Sequence, residues 1–243
     1  ALAMRRGATV AVVIPALNEA PSIGKVLAAL PGWVDETVVV DNGSTDDTAA
    51  VARRGGATVL REPERGYGAA CLTGIAALDG PDVLAFLDGD FADDPRELHR
   101  VVDPIIDGRA DLVIGSRVQG PRQRGALTPQ ARFGNWLSCL LMAALWRHRF
   151  TDLGPFRAVR FAAYRRLGMV DRNYGWTVEM QAKALQRGLR VQEVPVSYRR
   201  RIGSSKVSGT LRGVVGAGIK IPGTILWLAL TERVVGRSSG DAG

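Results

Sequence analysis

Cysteine is scarce in this sequence. The 243 residues include two cysteines, Cys71 and Cys139, and their spacing matches none of the paired patterns that bind structural metals. The sequence therefore excludes a small disulfide-stapled scaffold and predicts a protein whose thiols stay reduced. We recognise no signal peptide near the start, so we expect a cytoplasmic protein.

Long apolar runs are also missing. The run from Phe133 to Trp146 has 14 largely apolar residues, which is too short to cross a bilayer. The stretch from Gly213 to Leu230 is interrupted by Lys220 and Pro222. We therefore expect at most peripheral association with the inner face of a membrane, with residues 133–146 forming either an interfacial helix or an ordinary core helix.

Acidic residues are few in the second half. Residues 1–116 contain 10 Lys+Arg and 18 Asp+Glu, a net charge of −8, whereas residues 117–243 contain 22 and 6, a net charge of +16. Such asymmetry indicates an anionic partner for the second half: a nucleic acid, a membrane surface or a phosphorylated substrate. A solvated, arginine-rich surface is the alternative.

The first half alternates apolar, β-branched runs with segments of helical periodicity. Strands are predicted at residues 9–14, 37–40, 57–60, 83–87 and 112–114, and helices at 23–30, 46–54, 69–78 and 95–106. A helix at 130–147, a second helix starting near 174–180 and a closing strand at 189–196 follow. This order predicts an α/β protein with a mostly parallel central sheet and helices on both faces.

The most informative stretch is VLAFLDGDFADD, from Val83 to Asp94. An apolar strand ends abruptly in Asp88, Gly89 and Asp90. In an extended backbone, residues two apart point to the same side, so the two carboxylates can hold one cation while Gly89 leaves room for a ligand. Mg²⁺ is commonly held by one or two carboxylates plus substrate phosphates. The alternative is that Asp88 caps the next helix and Asp90 is solvated.

Polar residues follow the first two strands as well. They are PALNE at 15–19 and DNGSTD at 41–46, and open α/β sheets bind their ligands at this edge. Asp41 can accept a hydrogen bond from a base, and Glu19 can accept from ribose hydroxyls. The Gly-Tyr-Gly turn that ends at Gly68 offers backbone N–H groups to a phosphate. Each of these is also an ordinary turn or cap sequence.

Five segments together resemble the nucleotide-diphosphosugar domain of glycosyltransferase family two, which has the Rossmann-like GT-A fold. They are VVIPALNEA, VVVDNGSTDDT, ERGYGAA, FLDGDFADDP and ADLVIGSR, in this order. The likeness is strongest to polyprenyl-phosphate sugar transferases of the dolichyl-phosphate mannose synthase type, and it covers about residues 8–210. It implies a nucleotide-sugar-binding half at 4–116, an acceptor-binding half at 117–210, and a C-terminal apolar helix and tail at 211–243.

The resemblance also implies a set of donor-site residues. Asp88 and Asp90 match the metal-binding Asp-x-Asp motif of the family, so Mg²⁺ or Mn²⁺ is the expected cofactor, and Gly89 stands where many relatives have alanine. Arg117 follows the fifth strand, where the family directs an arginine to phosphate. The implied nucleotide-sugar residues are Pro15, Leu17, Glu19, Asp41, Gly68, Asp88, Gly89 and Asp90.

Candidates for the acceptor side lie in the second half. Asp152 resembles the acidic residue before the family's Gly-x-Phe-Arg segment, which implies a catalytic role as a base or a role in positioning the acceptor. Glu179 stands where many members carry an acidic catalytic or sugar-contacting residue, so Asp152, Glu179 and the phosphate-directed Arg117 are the catalytic candidates. A salt bridge to a nearby arginine is the alternative role for Asp152. Residues 120–128 predict a mobile loop near the acceptor entrance. The candidates for phosphate and acceptor binding are Arg117, Arg132, Arg199, Arg201 and Lys206.

Residues and resemblance together predict an inverting, metal-dependent glycosyltransferase. Its donor would be a nucleotide-diphosphosugar, UDP-glucose-like or GDP-mannose, and its acceptor a polyprenyl or dolichyl phosphate. A hydroxyl of a soluble molecule or glycan is the alternative acceptor. A nucleotidyltransferase would share the acidic strand ends but would need a Gly-rich, Arg/Lys-containing signature after the first strand, and we see none. A nucleic-acid-binding protein would explain the +16 half but not the acidic strand ends.

Overall fold

A seven-stranded mixed sheet forms the centre of the molecule. The computed structural model describes residues 4–203 and 220–231. The strands are β1 Val10–Ala16, β2 Glu36–Asp41, β3 Thr58–Arg61, β4 Val83–Phe86, β5 Leu112–Ser116, β6 Arg157–Arg160 and β7 Val191–Pro195. Their order is β3-β2-β1-β4-β6-β5-β7. Strand β6 is antiparallel to β4 and β5, and the other neighbouring strands are parallel.

Helices cover both faces of this sheet. They are α1 Ala20–Ala29, α2 Thr48–Arg54, α3 Tyr67–Ala76, α4 Leu98–Ile106, α5 Pro129–Trp146, α6 Phe161–Leu167 and α7 Trp176–Gln186, and residues 220–231 are also helical. Apolar residues of α1, α2 and α4 pack on one face. Those of α3, α5, α6, α7 and 220–231 pack on the other. The predicted mostly parallel, two-faced α/β architecture is therefore confirmed.

Strand β4 shows why the strands of the first half could be predicted from the sequence. Its four residues, Val83 to Phe86, are all buried, because alternate side chains enter the two opposite cores: Val83 and Ala85 on one face, Leu84 and Phe86 on the other. A strand covered on both faces is apolar throughout and does not alternate with polar residues. The polar residues that follow it therefore mark the sheet edge sharply.

Helix α5, with 18 residues, is the longest helix in the part of the chain that the structure describes, and it is only partly buried. The Thr128 hydroxyl accepts a hydrogen bond from the Ala131 N–H at 3.2 Å, and Pro129 occupies the first turn, where a missing N–H costs nothing. The helix ends at Arg147, which has a left-handed φ of 55°. Nowhere in residues 4–203 and 220–231 is a helix long and apolar enough to cross a membrane.

The second half holds two elements that sequence reasoning missed, β6 and α6. The 120–128 segment is irregular, as predicted, and it is joined to Tyr198: the Tyr198 N–H donates to the Pro121 carbonyl, and the Gln123 N–H donates to the Tyr198 carbonyl, each at 3.0 Å. Lys206 lies outside the described residues.

Candidate functional site

A cavity of about 1320 Å³ opens at the carboxyl edge of the sheet. Residues after β1, β4 and β5 converge on it, as expected for an open α/β sheet. From the predicted set, the structure brings together Pro15, Leu17, Glu19, Asp88, Gly89, Asp90, Arg117 and Arg201 as lining residues.

The residues after β1 and β2 are fixed by short local bonds. The Glu19 N–H donates to Thr48 Oγ1 at 2.8 Å, and the Ser22 hydroxyl donates to Glu19 Oε2 at 3.0 Å. These bonds orient the Glu19 carboxylate at the start of α1. Asp41, at the end of β2, is buried and accepts the Ser44 N–H at Oδ1, 2.9 Å away. It is not among the residues that line the cavity.

Asn42 is a cavity residue that sequence reasoning passed over. Its Nδ2 donates to the carbonyls of Glu62 and Glu64 at 3.1 and 2.7 Å, and its Oδ1 accepts the Gly66 N–H at 2.8 Å. The side chain therefore fastens the turn that precedes α3. In the sequence, the Asn-Gly pair is typical of an ordinary turn, so it does not indicate that the Asn42 side chain binds residues 62–66.

Gly66 and Gly68 permit two backbone segments to touch. A Cβ on Gly66 would lie 2.0 Å from the Arg172 carbonyl oxygen, and one on Gly68 would lie 2.0 Å from that of Asp171. The Ala69 N–H donates to the Arg172 carbonyl at 2.8 Å. Gly66 lines the cavity and Gly68 does not. The structure shows the packing role of Gly68, and its contact with a phosphate stays a prediction.

Asp88 and Asp90 face the cavity together. Asp88 Oδ1 is buried and has no hydrogen-bond partner. Loss of solvent on burial, followed by the neighbouring Asp90 charge, raises the pKa of Asp88 to about 6. Asp90 Oδ1 accepts the Ala92 N–H at 2.8 Å, and Asp90 Oδ2 lies 3.0 Å from Arg201 Nη1. The pair therefore holds negative charge that needs compensation.

A divalent cation fits this carboxylate pair. An unpartnered buried carboxylate oxygen costs free energy, and a hard cation would satisfy the Asp88 oxygen. In the part of the chain that the structure describes, no cluster of three or more His, Cys, Asp or Glu side chains is arranged to hold a metal. The two aspartates would thus need oxygens from a nucleotide diphosphate or water to complete a metal site.

Asp93 is a buried acid close to this pair, and sequence reasoning did not select it. Neither of its carboxylate oxygens has a hydrogen-bond partner. Burial raises the pKa of Asp93 well above its ordinary value, and the Asp88 charge raises it further. In the sequence, Asp93 cannot be told apart from its neighbour Asp94. Asp94 caps the N-terminus of the short 3-10 helix at Pro95–Glu97, where its side chain accepts the Arg96 N–H at 3.2 Å.

Arg117 and Asp152 form a buried ion pair at the cavity wall. The Arg117 Nε and Nη2 donate to Asp152 Oδ2 and Oδ1 at 2.8 and 2.7 Å, and the Arg117 backbone N–H also donates to Oδ2 at 2.8 Å. The Asp152 side chain has no exposed surface, whereas 13% of the Arg117 side chain is exposed. The structure thus presents Arg117 to the cavity and places Asp152 behind it.

Glu179 is not brought to the cavity. Its carboxylate accepts the backbone N–H groups of Val170 and Asp171 and pairs with Lys183 Nζ at 2.7 Å. These bonds tie the 170–171 turn to the first turns of α7. Glu179 is buried and lies outside the cavity lining.

Two of the predicted phosphate-binding arginines also lie outside the lining. Arg132 is exposed near the start of α5. The Arg199 guanidinium lies 4.3 Å from the centre of the Phe91 ring and 3.5 Å from Asp94. Arg201 does line the cavity.

Much of the rest of the cavity lining comes from the second half. Side chains of α5, the 173–177 turn and residues 221–222 contribute to it. It is mixed in character: Phe133, Leu137 and Ile221 are apolar, and Asn135 and Asn173 are polar. One cavity therefore joins an acidic wall at the strand ends to a more apolar wall.

The sheet order and the acidic pair after β4 define a GT-A glycosyltransferase fold. The family model for Glycosyl transferase family 2 matches residues 11–168. The chain therefore belongs to glycosyltransferase family 2.

Similar curated proteins cover most of the chain. An uncharacterized glycosyltransferase of Mycobacterium tuberculosis is 42% identical over 212 residues, which cover 86% of this chain and 94% of that protein. The dolichyl-phosphate hexose transferase of Haloferax volcanii is 33% identical over 237 residues, with coverages of 92% and 95%. The undecaprenyl-phosphate mannosyltransferase of Micrococcus luteus is 31% identical over 223 residues, with coverages of 85% and 89%.

A similar solved structure is that of glucosyl-3-phosphoglycerate synthase from Mycobacterium tuberculosis. It was determined in complex with Mn²⁺, UDP and glucosyl-3-phosphoglycerate, and it aligns with a TM-score of 0.75 at 25% identity, covering 92% of this chain and 81% of that chain. The predicted family, GT-A fold and enzyme class are confirmed by these findings.

Proposed function

We propose that the protein is an inverting, divalent-metal-dependent glycosyltransferase that moves a sugar from a nucleotide-diphosphosugar to a polyprenyl phosphate. The observation that carries this proposal is the composition of the cavity. Asp88 and Asp90 give it acidic lining, and side chains of α5 give it more apolar lining. Such a cavity suits a donor held through a cation and an acceptor that carries a hydrocarbon chain.

The donor would lie along the ends of β1, β2 and β4. Pro15, Leu17 and Glu19 would contact the nucleoside, and Asp41 would accept a base N–H through Oδ2, since the Ser44 N–H binds Oδ1. Mg²⁺ or Mn²⁺ would be held by Asp88 and Asp90. The complex of glucosyl-3-phosphoglycerate synthase with Mn²⁺ and UDP supports this assignment.

A cation held by Asp88 and Asp90 would supply positive charge to offset that of the leaving diphosphate. The arginines of this chain act on the same charges. Arg117, held by Asp152 at two points, would donate its remaining N–H groups to the acceptor phosphate, since a planar guanidinium binds phosphate at two points. Arg201, on the acidic wall, would donate to the diphosphate.

The partners of the two candidate bases support a phosphate nucleophile. Asp152 is bound by Arg117, and Glu179 is bound by Lys183 and two backbone N–H groups. A hydroxyl acceptor requires a base that can reach its proton. A phosphomonoester, with a second pKa near ~6, is already largely ionised at neutral pH and needs positive charge more than it needs a base.

An apolar stripe on α5 supports a lipid tail and peripheral docking at the inner face of a membrane. The stripe consists of Phe133, Trp136 and Leu140, with 63%, 57% and 50% of their surfaces exposed. The 220–231 helix also exposes Leu226, Trp227 and Leu230. Exposed aromatic and aliphatic residues next to arginines are typical of helices that lie in a membrane interface.

The identity of the acceptor is tested by supplying two candidate acceptors in parallel reactions. The protein is incubated with Mn²⁺ and labelled UDP-glucose or GDP-mannose, and with either polyprenyl phosphate in detergent or 3-phosphoglyceric acid. Phosphoglyceric acid is chosen because a solved structure of glucosyl-3-phosphoglycerate synthase contains it. We expect label in the lipid extract and none in soluble phosphoglycerate. Label in phosphoglycerate alone would refute the lipid acceptor while leaving the glycosyltransferase family assignment in place.

The docking surface is tested separately by sedimentation with phosphatidylglycerol vesicles. The double variant Phe133→Ser/Trp136→Ser should bind vesicles at least ~10-fold more weakly, since each buried large apolar side chain contributes about 1.5–3 kcal/mol. Val170→Ser removes an equally exposed apolar side chain from outside the stripe and should bind as the wild type does. Equal binding by all three proteins would refute the docking surface.

A further inference from the structure

Residues 198–203, here called the strap, lie along the acidic turn that follows β4. Two backbone bonds hold the strap there: the N–H groups of Arg199 and Ile202 donate to the carbonyls of Ala92 and Asp90, at 2.8 and 3.0 Å. Tyr198 and Asp93 also form an isolated antiparallel bridge. The strap is therefore fastened to the same turn that carries the proposed metal ligands.

The strap ends on the nucleoside side of the cavity. A Cβ on Gly203 would lie 4.0 Å from Glu19 Oε2, and Gly203 has a φ of 90°, which favours glycine. The strap thus runs from Asp93 to the neighbourhood of Glu19, across the donor end of the cavity. A side chain on it is well placed to meet a donor.

Arg201 is the strap residue that faces the acidic pair. Its Nη1 lies 3.0 Å from Asp90 Oδ2, and 30% of its side chain is exposed against 4% of that of Asp90. Its guanidinium therefore holds one of the two carboxylates that a cation would need. The other, Asp88, keeps a buried oxygen without a hydrogen-bond partner.

Charge decides how this contact responds to ligands. Without a metal, Arg201 offsets the negative charge of Asp90 and of the nearby Asp88. A divalent cation brings two positive charges to the same carboxylates, competes for Asp90 and repels the guanidinium. A nucleoside diphosphate then brings phosphate oxygens, which a guanidinium binds well.

We propose that Arg201 exchanges partners, pairing with Asp90 in the metal-free protein and with the donor diphosphate once a cation is bound. This inference rests on the proposed function. Because the cation releases Arg201 for the diphosphate, each ligand strengthens binding of the other, and such coupling is reciprocal. The metal alone binds weakly, since it must displace a guanidinium, and metal and nucleotide bind tightly together.

The test is calorimetry with two titrations of each protein: Mn²⁺ alone, and UDP in saturating Mn²⁺. Arg201→Gln should bind Mn²⁺ alone ~10-fold more tightly and UDP with Mn²⁺ ~10-fold more weakly, the lower end of the range for losing a close charge pair. Arg199→Gln makes the same charge change on the same strap, on a side chain that contacts Asp94 and Phe91 outside the cavity. It should change neither affinity.

A conservative variant separates the exchange from a disturbed fold. Arg201→Lys keeps a positive charge beside Asp90 and should keep Mn²⁺ affinity near that of the wild type. An Arg201→Gln protein that binds Mn²⁺ no more tightly than wild type, or UDP no more weakly, would overturn the exchange alone. Failure of the wild type to bind Mn²⁺ with or without UDP would overturn the proposed metal dependence as well.

Discussion

Asp152 holds Arg117 at two points of its guanidinium and at its backbone N–H, with three donor–acceptor distances between 2.7 and 2.8 Å. Both carboxylate oxygens of Asp152 are used, and its side chain has no exposed surface. The carboxylate therefore orients an arginine at the cavity wall. This arrangement argues for a positioning residue at 152 rather than the base that the family resemblance implies.

Removal of the Asp152 carboxylate should destabilise the fold and misplace Arg117. Asp152→Ala leaves a buried guanidinium without its partner and should lower the free energy of unfolding by about 3–5 kcal/mol in urea titrations. Asp152→Asn keeps the shape and should raise the acceptor KM more than it lowers kcat. A large loss of kcat with unchanged KM and stability, together with loss of the acidic limb of the pH profile, would instead identify Asp152 as a base.

Asp90→Asn should reduce turnover by about 10²- to 10³-fold, the usual scale for removing a group that stabilises transition-state charge. The change is isosteric, so thermal unfolding should show an intact fold. Asp107→Asn, the same change at a partly exposed aspartate paired with Arg6 and Arg109, is the matched control and should keep wild-type turnover. Full activity of the Asp90 variant in Mn²⁺ would contradict the metal assignment.

Gly68→Ala should destabilise the protein because its Cβ would enter the Asp171 carbonyl. Forcing one carbon into a packed contact typically costs about 1–3 kcal/mol. Gly134 is also helical, but a Cβ there meets nothing within 4 Å, so Gly134→Ala should stabilise α5 by up to ~1 kcal/mol. Denaturant titration of both variants measures the contrast, and a neutral Gly68→Ala would refute the close approach.

Stability should fall as the pH drops from about 4 to about 2, in part through Asp111. Hydrogen bonds from Arg190 lower the pKa of Asp111 to about 2, against ~3.9 in an unfolded chain. The unfolded state therefore takes up its proton first as the pH falls, and the stability present above pH ~4 is lost across this window. In thermal melts from pH 2 to 7, Asp111→Asn should show a smaller decline. If the melting temperatures of variant and wild type fall equally with pH, the contribution of Asp111 is contradicted.

The first half of the fold was predictable because its signals are local. Strand β4 is buried on both faces, so its sequence is apolar up to the point where Asp88 begins the turn. The same reasoning failed for β6, where Arg157 and Arg160 lie at the two ends of a four-residue strand. Arg157 is buried because its guanidinium donates to the carbonyls of Gly154 and Thr177. Sequence alone does not show the Thr177 partner, which lies 20 residues later.

The roles of the acidic residues of the site were also hard to predict from the sequence. Their positions in the sequence are plain, but their roles depend on partners. The partner of Asp152 lies 35 residues earlier, and Asp93 is distinguished from Asp94 only by its burial without a partner. Glu179 did offer a local sign: Lys183 stands four residues later on the same helix, a spacing at which side chains meet.

The Arg117 and Asp152 contact closes the chain excursion that contains α5 into a ring, because its two ends, 35 residues apart, are bonded to each other. Strand β6 leads out of that ring antiparallel to its neighbours, so the excursion leaves and re-enters the fold at one edge of the sheet. Residues 117–152 are thus tied to the fold at both ends, and a change of sequence inside this closed loop can be absorbed there while β1, β2 and β4 keep their register.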